Sequence, residues 1–308
     1  MPNSIFISLL YNSNMIKILI NLICILPHKI SLALGSFLGC LAWLISWKKV
    51  DTCEKRCVRA LGVGITIARQ IILKSFINIG RDVIEFARLE KINTPEKIKT
   101  LVDFPNESIK NLRNAQARGR GVILITAHMG NFELAAARIT RENFKLAPLY
   151  TPQHGFINDL IQKRRENSMG DELIKSEGAA LREIFNALSN NDILIIMHDL
   201  DARAEGVIMP FLNMPASVHK GVIKIYNITK APIVPAFTYR DNKNPELHHI
   251  FIGEIISDAP DFGKNLKSSL AICNSALENF IKKFPEQWMW TLDKWQYTER
   301  QKILKSSL

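Results

Sequence analysis

The chain has 308 residues, with 40 Lys and Arg against 29 Asp and Glu, for a formal net charge of +11. At 47% hydrophobic and 22% charged residues it is neither a disordered tail nor a low-complexity or collagen-like chain. The length suits one large domain or two small ones with ample core, and the charge favours an anionic partner: nucleic acid, a membrane surface, anionic lipid or an acidic protein.

The N-terminal region is the most apolar. Residues 30–47, ISLALGSFLGCLAWLISW, carry no charge, and their length is at the lower end of what spans a bilayer as a helix. Trp43 and Trp47 stand where an interfacial aromatic belt would lie, and Lys48 and Lys49 end the run. Residues 1–50 are therefore read as a membrane anchor, spanning or lying in the interface, with a buried globular helix as the alternative. The late start and basic downstream flank argue against a cleaved signal peptide. Gly35 and Gly39 have the GxxxG spacing of packed helices. Lys17 and Lys29 precede the run, whereas Lys48, Lys49, Lys55, Arg56, Arg59 and Arg69 follow it. That bias places the downstream domain on the cytoplasmic side.

Residues 52–118 read as a helical entry, with apolar residues at helical spacing over 65–89 and a second helix over 106–117 ended by Gly119. The rhythm then changes. Short apolar runs at 121–127, 146–150, 193–197 and 233–237 read as buried strands, separated by helical segments at 135–140, 156–168, 179–188 and 218–228. A late strand is expected at 250–256 and a last helix at 266–284, stopped by Pro285. This alternation predicts an α/β fold: a mixed, mostly parallel sheet flanked by helices, in one domain over 51–308 with its core at 119–300. Cys24, Cys40, Cys53, Cys57 and Cys273 are odd in number and scattered, as expected of reduced thiols rather than a disulfide framework or a zinc site.

Chemistry concentrates where the first strand ends. His128 follows the apolar run at once, and Gly130, Asn131 and Glu133 follow it. In open α/β sheets such strand ends form sites. Gly130 permits a tight turn or close approach of a ligand, and Asn131 can cap the next helix. A turn could bring the Glu133 carboxylate to one imidazole nitrogen of His128, leaving the other to take a proton from a hydroxyl. The bland alternative is a packed histidine and a glutamate serving the helix dipole.

The surrounding AHMGNFELAA, with its HxxxxE pattern, resembles the first signature block of the bacterial lipid A biosynthesis acyltransferases of the late, lauroyl/myristoyl type, within the wider glycerolipid acyltransferase group. Further blocks agree in order. The segment ending at Lys163 and Arg164, followed by Gly170, is similar to the family's arginine-bearing helix. Lys175 to Gly178, with Leu181 and Arg182, is similar to its glycine-to-helix segment. His198, Asp199, Leu200 and Asp201 resemble the block usually written PDQD. Pro210 and Phe211 fall at its aromatic–glycine turn, and Pro285 to Trp290 reads PEQWMW, close to the PEQWxW signature.

The resemblance implies a glycerolipid-acyltransferase-like fold and no cofactor. His128 would be the general base, and Glu133 would orient and charge-balance it. The acceptor hydroxyl would attack a thioester on acyl carrier protein without a covalent acyl-enzyme. Arg164 would bind acceptor phosphate, stabilise the oxyanion or serve structurally, and Asp199 would position a site group. The implied acceptor is a phosphorylated glucosamine disaccharide bearing hydroxyacyl chains, and the implied location is the inner membrane. The chain departs from the pattern at Thr151, where YRP becomes Tyr150-Thr151-Pro152. It departs again at His198 and Leu200, at Leu212-Asn213 in place of the glycine turn, and at Asp293-Lys294-Trp295 where the family has Arg-Arg-Trp. These losses put phosphate recognition in question and leave another glycolipid acceptor open.

Other readings are weaker. His198, Asp199 and Asp201 could join His128 and Glu133 as ligands of a two-metal hydrolase, but no compact metal motif such as HExxH is present. A non-catalytic lipid-binding protein is a third class. His219 and Lys220 could contact phosphate near a helix start, and Trp288, Trp290 and Trp295 could line an acyl groove or pack in the core. No nucleic-acid motif or long basic arm is visible, so lipid headgroups and an acidic carrier protein explain the charge better.

Overall fold

A computed structural model describes residues 13–151, 156–169, 173–176 and 179–306. Pro152, Gly170 and Gly178, named above, lie outside them. The first described elements are helices: α1 (Ser13–Ile25), α2 (His28–Ile45), α3 (Trp47–Leu61), α4 (Ile65–Ala87), α5 (Leu89–Ile92) and α6 (Pro95–Leu101). Next come β1 (Val102–Asp103), α7 (Asn106–Gln116), β2 (Val122–Thr126), α8 (Phe132–Thr140), β3 (Leu146–Tyr150), α9 (Phe156–Met169) and β4 (Ile174–Lys175). The chain continues through α10 (Ala180–Ser189), β5 (Ile193–Met197), β6 (Val207–Phe211), β7 (Met214–Val218) and α11 (Gly221–Thr229). It closes with β8 (Ile233–Arg240), β9 (His248–Ile252), α12 (Leu266–Lys283) and α13 (Gln296–Ser306).

Seven strands form one sheet in the order β1-β9-β8-β2-β5-β3-β4. All neighbours are parallel except β8 and β9. The expected mixed, mostly parallel sheet is therefore present. Its central strand, VILIT of β2, is buried at every position because helices cover both faces. On one face Leu124, Val234 and Ile250 pack with Leu112 of α7 and Leu134 of α8. On the other, Ile123, Ile125 and Ile196 pack with Ile184 of α10, Val222 of α11 and Leu277 of α12.

Three local expectations change. The strand at 233–237 runs on to Arg240, the helix expected from 218 starts at Gly221, and the late strand spans His248–Ile252. A hairpin, β6–β7, also appears around Pro210 and Pro215, although proline is disfavoured inside sheets. The two prolines face each other across this isolated two-stranded ribbon. Its two-residue turn, Leu212-Asn213, has positive φ at both positions (47° and 60°), the requirement of the tight turn that matches strand twist. No glycine signals it. Leu212 adopts this conformation while fully buried, so packing opposes the local strain.

The three C-terminal tryptophans are core. Trp288, Trp290 and Trp295 pack on one another, and Phe211 packs against Trp288 and Trp295. Each indole N–H finds an acceptor, on Asp199, Pro285 O and Phe211 O respectively.

Helix α4 joins this core to the N-terminal helices. Ser75 and Asn78 donate to the carbonyl oxygens of Trp288 (2.7 Å) and Glu286 (3.1 Å). Glu85 is fully buried; it accepts both terminal guanidinium nitrogens of Arg240, at 3.1 and 2.7 Å, and the Nδ2 of Asn131. His248 lies 3.1 Å away through Nε2. Burial alone would raise the Glu85 pKa, but His248 and Arg240 outweigh burial and hold it below the ordinary carboxylate range. Arg240→Met should therefore leave a buried carboxylate without its two guanidinium hydrogen bonds and destabilise the fold by about 3–5 kcal/mol. Urea denaturation checks this, and a midpoint within error of the parent would contradict it.

Candidate active site

Parallel pairing of β2 with β5 in the register Thr126↔Met197 brings the two chains out of the sheet side by side. The last ladder bond runs from His198 N to Thr126 O, at 2.9 Å. His128 and Asp199 then lie together at the carboxyl edge of the sheet, where open α/β folds build their sites. Asp199 is fully buried and accepts three hydrogen bonds: from the His128 backbone N–H (2.8 Å), the His128 ring at Nδ1 (2.9 Å) and the Trp288 indole (2.9 Å).

The C-terminal signature holds this turn from the other side. Met289 N donates to His128 O at 2.9 Å, and Gly130 N donates to Gln287 O at 3.0 Å. Gly130 has φ +56°, and a Cβ there would sit 2.5 Å from Thr238 O, so only glycine fits. Asn131 caps α8, accepting from Leu134 N at 3.1 Å, while its Nδ2 donates to Glu85 at 2.8 Å. Gly130 and Asn131, expected near substrate, thus shape the turn that carries His128.

Burial would lower the His128 pKa, but the Asp199 charge and hydrogen bond outweigh it, and the pKa is raised above the ordinary 6.5. Burial would likewise raise Asp199, yet the His128 charge, the ring, indole and backbone donors bring it down to about 2. An ionised Asp199 only accepts hydrogen bonds, so the neutral imidazole carries its proton on Nδ1 and its lone pair on Nε2.

The Glu133 carboxylate was expected at the imidazole, and the structure puts Asp199 there instead. Glu133 stands in the first turn of α8 and pairs with Arg165 of α9, whose Nε donates to Oε1 at 2.9 Å and whose Nη2 adds a second bond. The reason is geometric: strand register delivers Asp199 directly beside His128, whereas the 128–131 turn sets Glu133 on the helix beyond. Arg164, for which substrate contact and a structural role were both open, is buried and donates to Phe86 O (3.2 Å) and Ala87 O (2.8 Å) at the end of α4. These are carbonyls a helix end leaves free. Consecutive residues on a helix point about 100° apart, so its neighbour Arg165 takes the pocket-facing position. Sequence reading missed Arg165; the paired arginines were the available signal, but not which one faces inward.

His128, Glu133 and Arg165 share a cavity of about 610 Å³. Its walls are mostly apolar. Between α8 and the sheet they include Leu124, Ala135, Ala136 and Ile139, and toward α11 they include Val222 and Ile225. Two further polar candidates, Lys294 and Asp201, are held in structural roles. Lys294 is buried and donates to Leu200 O (2.8 Å) and Ser217 O (3.3 Å), tying the loop after β5 to β7. Burial pushes its pKa down to about 8. His198 is fully buried, and burial, with Lys294 next in strength, pushes it down to about 3, so it is neutral. Asp201 accepts from the backbone N–H of Arg203 and Tyr297. Among the described residues no three His, Cys, Asp or Glu side chains gather as a metal-binding group. Burial pushes the thiols of Cys53, Cys57 and Cys273 up to about 11, 12 and 12, which keeps them protonated.

The family profile described as bacterial lipid A biosynthesis acyltransferase matches residues 8–297. A relative named lipid A biosynthesis acyltransferase, from Haemophilus influenzae, is 19% identical over 186 residues, covering 60% of this chain and 56% of the relative. The chain thus spans a little over half the length of that relative. With the profile matched across nearly its whole length, the chain belongs to the bacterial lipid A biosynthesis acyltransferase family.

Proposed function

We propose that the protein transfers a fatty acyl chain from an acyl carrier protein thioester to a hydroxyl of a lipid A precursor, at the cytoplasmic face of the inner membrane. One observation carries this reading: a histidine held through Nδ1 by a buried carboxylate lines a cavity with apolar walls. Nε2 takes the proton of the acceptor hydroxyl as its oxygen attacks the thioester carbonyl. The tetrahedral adduct then expels the thiolate, which recovers that proton from Nε2. The products are an ester and the carrier's free thiol. Glu133 acts through Arg165, holding the guanidinium at the pocket wall where negative charge develops on the carbonyl oxygen. The net charge of +11 suits an acidic carrier and a phosphorylated acceptor.

One feature favours a second acceptor within the same chemistry. Lys294, the cation nearest the family's lost arginine pair, is committed to carbonyl oxygens inside the fold. Phosphate recognition therefore differs from the family pattern, and another glycolipid bearing a free hydroxyl is the alternative acceptor.

The direct test is mass spectrometry of product after incubating the full chain with acyl carrier protein thioester and hydroxyacylated glucosamine disaccharide. The expected result is a gain of one acyl mass, lost by about 100-fold or more in His128→Ala. Full activity in that variant would overturn the mechanism. The base must be neutral, so kcat/KM should fall as pH drops through a His128 pKa raised above 6.5. Asp199→Asn removes the charge that raises it, so the acid limb should move to lower pH as the maximal rate falls. An unmoved limb would contradict the pairing. Ala136→Phe should narrow the space between α8 and the sheet and lose activity on the longest acyl donors first. An unchanged donor preference would place the acyl chain elsewhere.

A further inference from the structure

We infer that the N-terminal helices lie in the plane of one membrane leaflet and do not cross the bilayer, although α2 is long and apolar enough to span it. This rests on the membrane association proposed above and specifies its geometry. Helix α2 is fastened along α4 at backbone contact. A Cβ on Gly39 would meet Phe76 O at 2.3 Å, and one on Gly80 would meet Gly35 O at 2.2 Å. Such small-residue crossings let helices touch closely. Arginines of the α4 side lock the crossing: Arg81 Nε donates to Ser36 Oγ at 2.7 Å, and Arg88, at the end of α4, donates at 2.7 Å to Ile23 O and Leu26 O in the corner between α1 and α2.

Helix α4 is itself part of the catalytic body through Ser75, Asn78 and Glu85. A bilayer crossing by α2 would therefore carry Lys74, Arg81, Asp82 and Arg88 of the adjoining helix toward hydrocarbon, where charged side chains are strongly disfavoured. An in-plane position needs no such transfer. The stripe Ser31, Leu32, Gly35 and Gly39 is buried against the protein, while Phe37, Leu41, Leu44 and Trp47 are exposed. Helix α1 continues the exposed surface with Ile18, Leu22 and Ile25. Of the twenty-one large apolar side chains exposed among the described residues, eleven lie between positions 18 and 47.

The charge identifies the occupant. The first fifty residues hold four lysines and no carboxylate. Lys29 and Lys48 are exposed at the two ends of α2. An apolar face flanked by ammonium groups fits a leaflet containing anionic lipids. The site then opens from a body resting on the surface that holds its lipid acceptor.

The test uses the full chain with a protease-sensitive tag at each end, bound to closed vesicles of phosphatidylethanolamine and phosphatidylglycerol. Flotation establishes binding, and external protease reports the side of each tag. Both tags on the same side is the expected result, and tags on opposite sides would overturn the inference. Failure to float would overturn it together with the membrane reading; self-association of the soluble chain through this face would do the same. The surface variant Phe37→Ser/Leu41→Ser/Leu44→Ser should keep its thermal midpoint and float at least tenfold less. Equal flotation would show that this face does not enter lipid. Gly39→Leu should lower the thermal midpoint by prying α2 from α4, and an unchanged midpoint would refute the crossing.

Discussion

The buried Asp199 carboxylate is the constraint on which the site depends. A lone carboxylate without solvent is strongly disfavoured, and three directed donors make this one tolerable. Those donors come from two places: the end of β2, through both the backbone and ring of His128, and the C-terminal segment, through Trp288. One charge therefore closes the sheet edge, selects the tautomer of the histidine and docks residues nearly 90 positions downstream. The tryptophan-rich signature supports the histidine from behind, and its other indoles satisfy themselves within the core.

A second buried carboxylate, Glu85, does comparable work one layer away. It gathers Arg240 from β8, His248 from β9 and Asn131 from the turn carrying His128. Because Glu85 belongs to α4, and α4 carries α2 at glycine contact, the N-terminal helices and the catalytic turn share one rigid connection. The exposed apolar N-terminal face and the catalytic turn are mechanically continuous in this fold. The +11 charge also divides. Arg240, Lys294 and Arg164 are interior cations with structural partners, whereas Lys29 and Lys48 are exposed near the ends of α2.

Much of the architecture was legible before any coordinates. Runs such as GVILITA and ILIIM are short, β-branched and uniformly apolar, which in water is stable only for strands covered on both faces. The helices announced themselves by period, and Pro285 stopped the last one. What escaped had local signals pointing the wrong way. Proline is excluded from central strands, yet an isolated two-stranded ribbon leaves the missing donors of Pro210 and Pro215 on its outer edges. Leu212 gave no hint of a left-handed turn.

In the site, sequence by itself determined that His128 ends a buried strand, that a glycine and a capping Asn131 follow, and that acidic residues and arginines stand nearby in family order. It also showed where the apolar N-terminal segment lies. Tertiary structure alone decided which carboxylate meets the imidazole. Strand register sets Asp199 beside His128 across a gap of 71 positions, while Glu133, five positions away, turns to Arg165. It also decided which of two adjacent arginines faces the cavity, and that the helix long enough to span a bilayer is fastened along a charged one. The physical reason is common to all three. Spacing along a chain fixes which face a residue occupies on its own element, but partners are chosen by how elements pack, and that information exists only once they are assembled.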